Sequence, residues 1–266
     1  MAEVPEGGGL MIFRPCIDIH NGKVKQIVGS SLRDEGDAAT ENFVSDKDAA
    51  YYAALYRDKN LPGGHVINLN RKDSIYHESS RAQLFAALRA YPGGLMAGGG
   101  INADNAKEYV DAGASHVIVT SFVFSDGSVN MDNLNALVAS VGADRIVLDL
   151  SCRKTEGRYL VATDRWQKLT DEAVNRDTFD RLGQYCDGFL VHAVDAEGRS
   201  AGIDEELIGI LAGCDKSICY AGGISSYDDI RRLRETGRSR VDFTVGSRLD
   251  IFGGNLSIEE IIRCTR

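Results

Sequence analysis

The sequence predicts an α/β fold: one closed (β/α)8 barrel built from two half-barrel repeats, at about 12–142 and 143–266. Three observations carry that expectation. Short β-branched or apolar runs alternate with amphipathic stretches of helical period from Ile12 onward, the pattern of βα units around a parallel sheet. Eight such runs occur, and one barrel needs eight strands and roughly 250 residues, close to the 266 present. Motifs at the ends of the runs also recur about half a chain later, for which an open doubly wound sheet gives no reason. The whole chain, residues 1–266, is therefore expected to be a single domain.

The first run, IFRPCIDI (12–19), carries Asp18 near its end and opens onto a loop, HNGKVKQIVGSSLRDEGD, with Lys23 and Lys25. This loop is read as a second lid or as a solvated basic face. DKDAAYYAALYRD (46–58) has helical period and leads to HVINL (65–69). SSRAQLFAALRAY (79–91), GLMAG (94–98), DNAKEYVDAG (104–113) and HVIVT (116–120) continue the alternation through the first half. RIVLDL (145–150) opens the second half and is followed by a long loop with a hairpin-like EGRY turn. Then come VNRDTFDRLGQY (174–185), GFLVH (188–192), SICYA (217–221), YDDIRRLRETG (227–237), VDFTV (241–245) and a last helix, SIEEIIR (257–263).

Composition excludes several classes. A net charge of −9 disfavours gripping nucleic acid or anionic membrane by bulk electrostatics, so neither is expected as a partner. The six cysteines never occur as C-x-x-C and read as reduced thiols of a cytosol-like compartment. The N-terminus is acidic and Gly-rich rather than signal-like, so a cytoplasmic location is expected, with the plastid stroma as the alternative if a transit peptide has been removed. No His/Asp/Glu set has metal-ligand spacing, and no metal is expected.

The repeated motifs name the candidate site. CIDIHNGKV resembles VLDLSCRKTEGRYL, which pairs Asp18 with Asp149 across the C-terminal mouth, where barrel active sites lie. Two facing carboxylates suit a reaction in which one group takes a proton while the other gives one; a capping role for each is the plainer alternative. AGGGI resembles AGGI, and VIVTS resembles FTVGS. Gly99, Gly100, Thr120 and Ser121 thus form one candidate phosphate cradle, and Gly222, Gly223, Gly246 and Ser247 a second. Glycine lets the backbone approach an anion, and amide groups at a helix start favour it. Two cradles on opposite sides of one mouth imply a ligand with a phosphate at each end.

Among the histidines, His192 ends the sixth run at the mouth, while His65 and His116 begin runs and read as structural. His20 and His77 fall in mouth loops and fit either role. In the long fifth loop, Trp166 is expected either to stack on a flat heterocycle or to pack outside the barrel, and Arg153 to reach a phosphate or carboxamide.

The strings CIDIHNGKVKQIV, IVLDLSCRKTEGRYLVATDRWQ, HAVDAEGRSAGIDEEL, YAGGISS and DFTVGSRLDIFGGNL resemble the phosphoribosylformimino-5-aminoimidazole carboxamide ribotide isomerases of histidine biosynthesis, most closely their eukaryotic branch. The resemblance runs from about Phe13 to the end. It implies a cofactor-free Amadori rearrangement of a bis-phosphorylated aminoaldose ribotide to its aminoketose; separately, the chain is expected to act as a monomer. By motif, it implies Asp18 as general base and Asp149 as general acid, with the two labels exchangeable. Two departures stand out. Ala193 follows His192 where bacterial members carry Thr, so His192 is expected to substitute for the missing hydroxyl; and the strand-two motif reads Asn68-Leu69-Asn70 where they carry Asp. The sister cyclase of the pathway shares the repeat but has a Lys just after the first Asp, where Ile19-His20 stand here. A non-catalytic phosphometabolite-binding barrel is the other alternative.

Overall fold

In the computed structural model the described residues are 10–27, 31–32, 38–164, 166–196 and 202–265. Parts of the first loop, and of the segment after His192, lie outside them. Among the described residues eight parallel strands form the barrel: β1 (Cys16–His20), β2 (Gly64–Asn68), β3 (Leu95–Gly98), β4 (Val117–Val119), β5 (Ile146–Asp149), β6 (Gly188–His192), β7 (Ser217–Ala221) and β8 (Asp242–Phe243). Each predicted run overlaps one of them. Neighbours in sequence pair in parallel from β1 through β8.

The ring closes through residues just upstream of β1. Phe13 bridges Phe243 in parallel, Arg14 N–H donates to the Phe243 carbonyl at 2.8 Å, and Phe243 N–H donates to the Ile12 carbonyl at 3.1 Å. This is why the predicted run began at 12: the segment is extended, but it pairs with the last strand before it pairs with the second. The rings of Phe13 and Phe243 pack at 5.5 Å across the seam. Beneath them Arg14 closes the floor, its guanidinium bonding Asp242 (2.7 Å) and Ser217 Oγ (3.0 Å), while Asp242 also accepts Ile12 N–H at 2.8 Å.

Side chains alternate about the wall, as a strand's period of two requires. Ile67, Met96, Ile118, Val147, Leu190 and Cys219 fill the interior. Ile17, Ile19, Val66, Val117, Leu148 and Val191 point outward, under the helices. The outer ring is α1 (Ala49–Asp58), α2 (His77–Ala90), α3 (Ala106–Asp111), α4 (Met131–Val141), α5 (Arg176–Leu182), α6 (Glu205–Leu211), α7 (Tyr227–Thr236) and α8 (Ile258–Thr265). Helices α4 and α6 fill the two intervals in which the sequence pattern singled out no segment. Side-chain caps fix several starts, including Asp48, Asn130, Asn175 and Asp204, each accepting a backbone N–H three residues on.

Two smaller sheets sit over the mouth. Lys23–Ile27 turns back antiparallel on β1 and pairs with Glu41–Val44. Cys152–Thr155, Arg158–Thr163 and Lys168–Ala173 form a three-stranded sheet after β5. The EGRY hairpin is as expected, with Glu156 and Gly157 both at positive φ (50° and 77°), as a tight two-residue hairpin turn demands. Five cysteines are buried, Cys264 alone being partly exposed. No helix among the described residues is long and apolar enough to cross a membrane.

Removing Asp242 should open the seam, since it strands the Arg14 guanidinium and the Ile12 amide. Asp242→Ala is expected to lose about 3 kcal/mol in urea unfolding, the usual cost of orphaning a mostly buried charge. A loss within about 0.5 kcal/mol of zero, the range of ordinary surface substitutions, would refute this role.

Candidate active site

The strands end at a mouth holding two adjoining cavities of about 850 and 590 Å3. Asp18, His65 and His192 line both and so form their shared wall. Asp149, Gly99, Gly100, Thr120, Ser121 and Trp166 line the larger. Gly222, Gly223, Gly246 and Ser247 line the smaller. The two sequence-predicted cradles therefore lie on opposite sides of Asp18 and His192. The linings differ in character: Ile67, Leu69, Ile101, Ile118, Phe122 and Trp166 make the larger largely apolar, whereas Gln26, Asn42, Ser225, Thr244, Arg248 and Asn255 make the smaller polar.

The glycines do what a close backbone approach requires. Gly99 and Gly222 have φ of +103° and +113°, and Gly100 and Gly223 have +68° and +73°. A Cβ on Gly99 would lie 2.1 Å from the Asn68 carbonyl oxygen, and one on Gly223 2.1 Å from that of Gly202. Part of the expected donor set, however, is already used. The Ser225 and Ser226 amides and hydroxyls all donate to Asp229, which closes a capping box at α7. Burial alone would raise the Asp229 carboxyl, but these donors and Arg232 hold it below the ordinary value. The Ser225 and Ser226 donors at the start of α7 are thus taken up internally.

The carboxylates have unlike surroundings. Asp18 accepts from Gln26 Nε2 at 3.3 Å. Burial pushes its carboxyl up to about 7, with Gln26 pulling the other way. Asp149 accepts three: Ser151 N–H (2.8 Å) and Ser151 Oγ–H (2.5 Å) on Oδ1, and Thr120 Oγ1–H (3.1 Å) on Oδ2. The hydroxyl absent at Ala193 is thus supplied to Asp149 by two other residues, and Thr120 is engaged there rather than standing free in its cradle. His192 Nδ1 lies 3.2 Å from the same Ser151 hydroxyl. Burial lowers the His192 pKa, with Asp149 opposing. The Trp166 ring packs on the His192 ring at 5.6 Å, so Trp166 lies over the mouth rather than outside the barrel. It does so at φ +66°, a strained setting for a bulky residue.

Some expectations change. Arg153 lines neither cavity; pairing within the fifth-loop sheet sets it opposite Leu160 and 3.6 Å from the Asp195 carboxylate. His65 begins a strand, yet it faces inward and reaches the cavities instead of serving the far end. Its pKa falls to about 3 through burial, then through His192 and Arg14. His116 keeps its structural reading, pairing with Asp187 at 3.2 Å. Lys25 turns to Glu41 within the small sheet over the mouth. Gln26 and Ser151 were not singled out in the sequence; the signal for Gln26 is a polar side chain inside an otherwise β-like run, while Ser151 gave none. Asn68 and Asn70 line the larger cavity.

A closed parallel barrel with acid–base side chains gathered at its C-terminal mouth is the architecture of the (β/α)8 enzymes. The profile of the family described as "Histidine biosynthesis protein" matches residues 12–249, and this chain belongs to that family. It is 52% identical to a chloroplastic 1-(5-phosphoribosyl)-5-((5-phosphoribosylamino)methylideneamino)imidazole-4-carboxamide isomerase of Medicago truncatula, over 94% of this chain and 80% of that one. Isomerases of the same name from Saccharomyces cerevisiae and Yarrowia lipolytica are 46% and 45% identical, over 92% and 91% of this chain and 94% and 93% of theirs.

The Asp18 environment has a measurable consequence for stability. Because folding raises its pKa, its contribution is fully present below the ordinary carboxylate range and is lost as pH rises through about 7. From pH 4 to 8, titration of Asp18 should therefore lower the Tm of the wild type progressively relative to that of Asp18→Asn. Parallel Tm curves for the two proteins would contradict it.

Proposed function

We propose that this chain is the isomerase that converts N-(5′-phosphoribosylformimino)-5-aminoimidazole-4-carboxamide ribotide to its aminoketose. The observation that carries the reading is the pair of cavities sharing Asp18 and His192, each with its own glycine turn, which suits a sugar bearing phosphate at both ends. The names of the relatives support it independently. The matched φ values of Gly99 with Gly222, and of Gly100 with Gly223, support two half-barrel repeats within a single domain. The same reading takes the chain to act as a monomer. The relative described as chloroplastic favours the plastid over the cytoplasm.

The aminoimidazole carboxamide end enters the larger cavity, against Trp166, Phe122 and Ile101, and backbone amides at Gly99–Gly100 and Ser121 hold its phosphate. The polar cavity holds the other phosphate at Gly222–Gly223 and Gly246–Ser247. Asp149 protonates the ring oxygen, and the furanose opens to a Schiff base. Asp18 takes the C2′ proton and leaves an enolamine. Loss of the enol proton and protonation of C1′ give the aminoketose. The sequence of steps is redox-neutral, so by its own chemistry it calls for no cofactor. A base whose pKa lies near the working pH is effective at drawing a proton from carbon, and burial gives Asp18 that property.

The purified protein given the aminoaldose should form an aminoketose that a cyclase plus ammonia consumes; absence of turnover would remove the reading. Asp18→Asn and Asp149→Asn should each lower kcat by about 10²–10⁴ with KM nearly unchanged, whereas loss of binding at constant kcat would mark both as structural. With Asp18 as base, kcat/KM should climb with pH to a plateau above about 7. A profile that instead declines through that pH would exchange the two roles.

A further inference from the structure

Ser151 is fully buried between two groups of the mouth and belongs to neither cavity lining. Its hydroxyl has one proton and two neighbours, Asp149 Oδ1 at 2.5 Å and His192 Nδ1 at 3.2 Å. The shorter contact claims the proton, because Asp149 Oδ1 already accepts the Ser151 amide at 2.8 Å and so acts as the acceptor toward the hydroxyl as well. The Ser151 oxygen is then the acceptor toward His192, so the imidazole must carry its proton on Nδ1. A neutral ring in that tautomer leaves Nε2 bare. His192 lines both cavities, and the Trp166 ring packed on it restricts its rotation.

We propose that Ser151 is a positioning residue that fixes His192 as the Nδ1–H tautomer and joins it to Asp149, so that a proton accepted from substrate at His192 Nε2 is returned to Asp149. The proposal rests on the isomerase reading for its chemistry and on the Ser151 geometry alone for the tautomer. The protons balance. Ring opening takes one proton from the Asp149 carboxyl to the ring oxygen. Asp18 takes the C2′ proton and later gives one to C1′. Ketonisation breaks the enol O–H bond. That proton binds His192 Nε2, the Nδ1 proton passes to Ser151 Oγ, and the Ser151 proton passes to Asp149. Asp149 is a carboxylic acid again, and His192 is left neutral with its proton on Nε2. Exchange with water at the open mouth restores the resting tautomer. No electrons leave or enter.

Two measurements test this on the full chain. In 15N-histidine NMR of the free protein, the resonance pair lost in His192→Gln should show the Nδ1–H form in the wild type. It should move toward Nε2–H in Ser151→Ala. In steady-state kinetics Ser151→Ala should lower kcat about 10- to 100-fold with KM within a factor of about three, because positioned proton transfer is worth roughly 10²–10⁴ in rate. Ser151→Thr, which keeps the hydroxyl, should recover most of the rate. An Nε2–H tautomer in the wild type, or an unchanged tautomer and kcat in Ser151→Ala, would overturn the proposal. If Ser151→Ala folds poorly, the wild-type tautomer and the Ser151→Thr rate still decide it. The Nδ1–H tautomer in a protein that turns over no aminoaldose would fail the isomerase reading and leave the geometry standing.

Discussion

The molecule depends on the seam at which the segment 12–14 meets β8. A parallel sheet leaves a row of unpaired N–H and C=O groups at each open edge, and here the first and last strands join each other. Three backbone-level contacts and the Arg14–Asp242 pair accomplish this within a few residues. Closure brings β1 beside β8 and so sets Asp18 next to the second glycine cradle, although most of the chain separates them in sequence. The same residues that close the floor thus determine what faces what at the mouth. Arg14 even reaches His65 electrostatically through the interior.

The chain carries a net charge of −9, and the proposed function places an anionic sugar at its mouth. In that proposal backbone amides at the glycine turns resolve the conflict, because they supply positive potential without adding charge to the rest of the surface. Within that field the two carboxylates are differentiated by what surrounds them. Asp149 is held by three donors from Thr120 and Ser151, whereas Asp18 sits among buried neighbours with Gln26 as its partner. Two strand-end carboxylates thus sit in unlike surroundings, which suits the proposed reaction with its need for both a donor and an acceptor of protons.

The barrel was legible because its strands are buried on both faces and stand out as apolar runs between helical ones. GFLVH and SICYA are bounded in the structure as they are in the sequence pattern. The doubled carboxylate and the glycine turns were legible because close backbone approach and strand-end placement restrict residue type. Arg153, His65, Gln26 and Ser151 were not, because their roles depend on which way a side chain turns. Arg153 sits in a sheet that forms only above the barrel, so nothing local reveals that it faces Asp195. His65 starts a strand, but interior parity rather than position along the axis carries it toward the cavities. The use of the α7 amides by Asp229 was likewise hidden, since a helix start reads the same whether its donors are vacant or capped.

Burial raises the thiols of all five buried cysteines, those of Cys186, Cys214 and Cys219 to about 12, 11 and 12. Since the thiolate is the species that oxidants and alkylating agents attack, these sulfurs present almost none of it at neutral pH. Cys16 lines the smaller cavity, and Cys219 lies deeper in the barrel interior. Across a wide range of redox poise these five sulfurs therefore stay thiols, and an oxidant meets the partly exposed Cys264 first.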